Sequence, residues 1–203
     1  KDSPVKSLDD LKGARIAVTT LTSLTDWLAL ELARQHGWGP KGVTPIAIGG
    51  ESASILAAFR THMVDAGIIA TSLAFRMEAE GEGRLIAPAS SWAGELGGSV
   101  IFATRALIAS NPDAIRRFIA GWFDAVRFMR KNRDATIAIG SRMAGVPVAI
   151  ESREYDQTMP MFNTDGHFDA EILATLKRSF ADQKLLDAPP DMSKLYTEEF
   201  LPK

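Results

Sequence analysis

Two rhythms of apolar residues divide this chain. Up to Ala87, short apolar runs of strand length alternate with stretches of helical period; beyond Asn111 the helical period stands alone. The first run, Arg15 to Thr19, reads as a strand and leads through a hydroxyl-rich turn into a helix from about Leu24 to Gln35. His36-Gly37-Trp38-Gly39-Pro40 stops that helix. Val43 to Ile48 reads as a second strand, and its Pro45 argues for a sheet edge. Gly49-Gly50-Glu51-Ser52 then turns into a helix over Ala53 to Thr61, with Ile55, Leu56 and Phe59 on one face. Met63 to Ala70 reads as a third strand, Leu73 to Glu80 as the helix after it, and Arg84 to Ala87 as a fourth strand. Strands alternating with helices predict a parallel sheet with helices on its faces.

Residues 88–99 are rich in Gly, Ser and Pro and read as a hinge or linker, with Val100 to Thr104 as a strand beyond it. Asn111, Pro112 and Asp113 form a strong helix start. The helix runs to about Lys131 and sets Ile115, Phe118, Ile119, Trp122, Phe123, Val126 and Met129 toward a core. Further helices are expected over Ala135 to Met143, Ala149 to Met161 and Asp169 to Gln183.

In a parallel α/β sheet, ligands sit outside the carboxyl ends of the strands. Three polar turns fall on that edge: Thr20, Thr22, Ser23 and Thr25 after the first strand, Glu51 and Ser52 after the second, Thr71 and Ser72 after the third. A helix N-terminus carries roughly half a positive charge and unpaired N–H donors, so it suits an anion. One hydroxyl is enough for a cap; three hydroxyl-bearing turns on one edge look more like a pocket lining. Asp26, in the first turn of the opening helix, would offset part of its positive end.

The 203 residues are 46% hydrophobic, which predicts a real core and excludes disorder. A formal charge of −2 with both signs mixed gives no basic surface for nucleic acid. There is no cysteine, so disulfides, thiol nucleophiles and cysteine metal sites are excluded. No P-loop, GxSxG or HExxH pattern occurs, and His36, His62 and His167 show no ligand spacing. The residues therefore point to no catalytic group, metal or cofactor. Glu51 and Asp65 would make one acidic pair near the pocket, although Asp65 also suits a helix-to-strand turn.

Several segments, in order, resemble periplasmic solute-binding proteins of ABC transporters, in the nitrate, sulfonate and taurine group with thiamine-precursor binders as relatives. Ser7-Leu-Asp-Asp-Leu-Lys-Gly13-x-Arg15-Ile-Ala-Val18 resembles their S-L-x-D-L-K-G-K-x-I-A-V segment. Phe59-Arg-Thr-His-Met-Val-Asp65-Ala-Gly resembles A-L-x-x-G-x-V-D-A, with His62 where the family usually has Gly. Asn111-Pro-Asp-Ala-Ile-Arg-Arg-Phe118 resembles x-P-E-x-V-x-x-F, and Arg130-Lys-Asn-Arg-Asp-Ala its x-x-N-P-x-x-A exit. The resemblance implies an α/β fold like type II periplasmic binding proteins, with two lobes whose parallel or mixed sheets are flanked by helices. Residues 8–95 would form a complete lobe carrying the ligand-facing turns, and 100–203 the C-terminal, mostly helical part of another, incomplete lobe. The family has a further portion before the Ser7 segment, so a fragment without signal peptide is expected.

The implied function is capture of a small anionic organic solute in an interlobe cleft, with delivery to a membrane permease. The chain would act outside the cytoplasm, periplasmic or lipid-anchored, as a monomer without nucleic-acid partners. Thr20, Thr22 and Ser23 would donate to anionic oxygens, Glu51 and Ser52 line the next turn, Thr71 and Ser72 close the floor, and Trp92 cover an apolar part. The alternatives are a thiamine-type pyrimidine binder and an effector-binding regulatory domain. The pyrimidine-synthase chemistry of the family needs a cysteine-rich iron motif that this chain lacks.

Overall fold

Arg15–Val18 forms the central strand, β1, of a parallel sheet. The structure is a computed structural model and describes residues 3–94 and 99–202. β1 is flanked by β2, Thr44–Ala47, and by β3, the short pair Ala66–Gly67, in the order β2-β1-β3. Pro45 sits opposite Ile16 on β2, an edge strand, where a missing N–H costs least. The strand side chains alternate between two covered faces. Ile16 and Val18 pack with Ala29, Leu32 and Ala33 of α1, Leu24–Gln35. Ala17, on the opposite face, meets Ala58 of α2, Ser52–Arg60. α3, Thr71–Ala79, packs Leu73 and Met77 against Ile55 of α2.

The entrance to β3 is fixed at the amino edge of the sheet. Asp65 accepts from the Arg15 backbone N–H at 2.8 Å and from its guanidinium Nε and NH2 at 3.0 and 2.7 Å. The Asp65 N–H returns to the Arg15 carbonyl at 2.8 Å. The Arg15 guanidinium bonds hold the Asp65 carboxyl below its ordinary value. Asp65 and Glu51 therefore lie at opposite strand ends, and the acidic pair expected near the pocket does not form. His62, just upstream, adopts φ of +55°, so the turn keeps a backbone that favours glycine.

Two expected strands are absent among the described residues. Residues 84–87 and 100–104 run without ladder hydrogen bonds, and a strand without a neighbour has no pairing for its backbone groups. Ile86 still packs on the β1 face, whereas Val100, Ile101 and Phe102 are exposed, Phe102 by 88%. The stretch 88–99, expected to be loop, contains one helical turn, α4, Ser90–Ala93. Its Trp92 packs onto α1, which orders the segment. Residues 95–98 of that proposed hinge lie outside the described residues.

The chain divides into two compact units: Lys1–Leu96 with Ala174–Pro190, and Gly97–Leu173 with Asp191–Lys203. The expected boundary thus shifts for 174–190, placed from sequence with the C-terminal part. The cause is packing by α9, Ala170–Asp182. Asp182 accepts from the indole of buried Trp27 at 3.1 Å, and Arg178 reaches buried Glu31 at 3.4 Å with its guanidinium 5.7 Å from the Trp27 ring centre. Burial alone pushes the Glu31 carboxyl up, but hydrogen bonds from Arg34 and Gln35 and the Arg178 charge bring it below its ordinary value.

The second unit is helical among its described residues. α5, Arg105–Ser110, was not expected from the sequence; Thr104 caps it by accepting from the Leu107 N–H at 3.2 Å. α6, Pro112–Lys131, starts at the predicted Asn111 cap. It buries Ile115, Phe123 and Val126, whereas Phe118 and Trp122, expected in the core, are exposed, the Trp122 ring partly covered by Phe162 with centres 6.3 Å apart. α7, Arg133–Ala144, and α8, Val148–Thr158, complete the set. Arg133 pairs with Asp156 at 2.7 Å, and the Tyr155 hydroxyl donates to the Met129 carbonyl at 2.7 Å.

Candidate functional site at the carboxyl edge of the sheet

The parallel register carries the chain from each strand's carboxyl end into the helix that follows it. The three polar turns therefore open on the same edge. The first two are tied directly, since the Gly49 N–H donates to the Thr19 carbonyl at 3.0 Å. Gly49 has φ of +82°, which permits that approach.

The first turn is built around a residue that the sequence pattern assigned to the strand. Thr19 Oγ1 lies 3.0 Å from Ser23 Oγ and 2.9 Å from Thr25 Oγ1, and those two are 2.9 Å apart. The Thr19 N–H donates to Thr25 Oγ1 at 2.9 Å. Ser23 Oγ donates to the Thr20 carbonyl at 2.7 Å and accepts from the Asp26 N–H at 3.4 Å as the cap of α1. Its proton is therefore spent inside the turn. Thr22, at φ of +62°, donates its hydroxyl to the Leu21 carbonyl at 2.6 Å, and its N–H to the Asp26 carboxylate at 2.8 Å. Asp26 is only 6% exposed and places a negative charge at the start of α1. Of the four hydroxyls named from sequence here, Thr20 is the exposed one with no hydrogen-bond partner among the described residues.

The other two turns differ. Glu51 is the cap residue of α2 and makes no side-chain cap bond; Glu51 and Ser52 are both exposed. α3 follows Ala70, which has no side chain to cap with, and half-buried Thr71 and Ser72 form its first two positions. Neither helix has an acid in its first turn. The unanswered helix end is thus that of α3, while α1 carries its own cap and its own carboxylate and α2 has the acidic Glu51 at its cap position. Trp92 stands apart from this polar set: its indole donates to the Leu28 carbonyl at 3.0 Å, and its ring packs with Trp27, Leu28 and Ala93. No group of three or more His, Asp or Glu side chains able to hold a metal occurs among the described residues. No helix among them is long and apolar enough to cross a membrane.

A family model described as NMT1/THI5 like matches residues 1–136. The chain belongs to the NMT1/THI5-like family. No curated protein sequence matches it. Its fold is similar to that of the periplasmic aliphatic sulphonate binding protein SsuA from Escherichia coli, at 22% identity and a TM-score of 0.76. That match covers 98% of this chain and 63% of SsuA. The alkanesulfonate-binding protein SsuA from Xanthomonas axonopodis pv. citri, bound to MOPS, is 19% identical with a TM-score of 0.69, over 95% of this chain and 65% of that one. The desulfurization enzyme DszB is similar as well, at 18% identity and a TM-score of 0.64, over 98% of this chain and 72% of the enzyme. The chain thus spans less than two thirds of the two sulfonate-binding proteins. At these identities the likeness establishes the fold, a parallel α/β sheet flanked by helices.

Proposed function

We propose that this NMT1/THI5-like chain binds a small anionic organic solute of the sulfonate class at the carboxyl edge of its sheet. The observation that carries the reading is the start of α3, which meets this edge with no side-chain cap and with no acid at its cap position or in its first turn. Donors there have no partner to give up, and the helix end favours negative charge. The Thr19, Ser23 and Thr25 cluster acts as a rigid neighbour, and Thr20, Thr71 and Ser72 supply hydroxyls. The similarity to proteins described as sulfonate-binding and periplasmic supports the ligand class, an extracytoplasmic location and a permease of the ABC type as partner.

The family model and the fold leave two further readings to test. A thiamine-type pyrimidine binder would use the same edge with neutral partners. Enzymatic desulfurization is suggested by DszB, one structure of which is a cysteine-to-serine mutant with biphenyl-2-sulfinic acid. A thermal-shift and calorimetric screen of alkanesulfonates, taurine, nitrate and pyrimidines on the full chain separates these readings. A ligand that binds only the native state raises its melting temperature. A shift with sulfonates supports the proposal; a shift with a neutral pyrimidine and none with any anion overturns it.

A further inference from the structure

We propose that His167 and Glu198 form a pH-sensitive latch holding residues 195–202 against the 163–168 turn of the second unit. Six contacts among the described residues seat that segment. The Tyr196 and Phe168 rings lie 4.4 Å apart, centre to centre. Glu198 accepts from the Phe168 N–H at 2.9 Å and stands 2.8 Å from the His167 Nδ1. Arg116 NH1 donates to the Glu199 carbonyl at 2.6 Å, and its guanidinium lies 5.0 Å from the centre of the Phe200 ring. Phe200 itself is buried. Leu201 closes on Gly166, where even an added Cβ would clash with its Cδ2.

Only one of these contacts changes charge near neutral pH. The ring stack, the arginine-to-carbonyl bond and the apolar seat are indifferent between pH 5 and 9. The groups facing the imidazole are Glu198 on the segment and Asp165 on its own turn, both acidic; two of the cations of α6, Arg116 and Arg117, border the cavity lined by Glu199, Phe200 and Leu201. The Glu198 hydrogen bond, then its charge, raises the His167 value above the ordinary 6.5. A raised histidine adds stability that is complete below its unfolded value and is lost as pH climbs through the folded one. The latch is therefore closed in mild acid and loosened in mild base. Loosening would uncover Phe200 and release the Arg116 guanidinium from the Glu199 carbonyl.

The test is amide exchange on the full chain by NMR, corrected for the intrinsic pH dependence of exchange, together with a titration of the His167 ring. Protection at Phe168 and at 199–201 should fall by about threefold or more between pH 6 and pH 8.5, while the β1 amides stay unchanged. His167→Gln should remove the pH dependence and leave exchange fast at both values; Glu198→Gln should do the same. Equal protection at both pH values in the native chain overturns the proposal. So does a pH profile that survives in His167→Gln. If neither variant folds, a His167 titration at or below 6.5 in the native chain overturns it alone.

Discussion

The hydroxyls of the first turn separate two roles that the sequence had run together. Ser23 caps α1 and gives its proton to the Thr20 carbonyl, so Ser23→Ala should lower stability by about 1 kcal/mol in urea unfolding. Its effect on ligand affinity should be small. Thr71→Ala, at the uncapped start of α3, should leave the melting temperature unchanged and weaken sulfonate binding by about 1–2 kcal/mol in calorimetry. His62 tests a different point. Its left-handed backbone is what glycine adopts freely and what a β-branched residue resists. His62→Val should lower the melting temperature, and His62→Gly should hold or raise it. The resemblance set His62 at a glycine position and so suggested an altered turn, whereas the backbone there stays glycine-like. The role of Thr19 was not, because a residue at a strand end gives no local sign that its side chain will organise the next turn.

Elements were legible where one local signal decided them. Pro45 marked β2 as an edge, and Asn111-Pro112-Asp113 marked the start of α6. The failures share a cause. Residues 84–87 and 100–104 have strand composition, but a ladder depends on a partner far away in sequence or absent from it. The packing of α9 on α1 is likewise non-local, joining Trp27 to Asp182 across 155 positions. That bond satisfies the indole N–H of a fully buried ring. Asp182→Ala should therefore cost about 1–3 kcal/mol in chemical denaturation, chiefly from the unpaired donor. Asp182→Asn should restore most of it by keeping an acceptor.

At the scale of the molecule, the acidic groups set the response to pH. Hydrogen bonds or arginine partners lower the carboxyls of Asp10, Glu31, Asp65, Asp156 and Glu198. A depressed carboxyl adds stability above its unfolded value, near 4, and that contribution is lost as pH falls through the lower folded value. Melting temperature should thus be level between pH 6 and 5 and fall steeply below 4. Added salt should flatten the fall, since most of these pairs are exposed. The sequence conveyed the balance of charges but not the pairing, which long-range contacts such as Arg15 with Asp65 create.

The uncovered stretch at Val100, Ile101 and Phe102 has a practical consequence for handling this chain in solution. An exposed apolar stretch without ladder partners is a template on which another molecule can pair. Concentrated samples should scatter light increasingly with time, more so in sulfate, which strengthens apolar association. A single lysine in place of Phe102 should suppress that colloidal drift while leaving the far-ultraviolet dichroism unchanged.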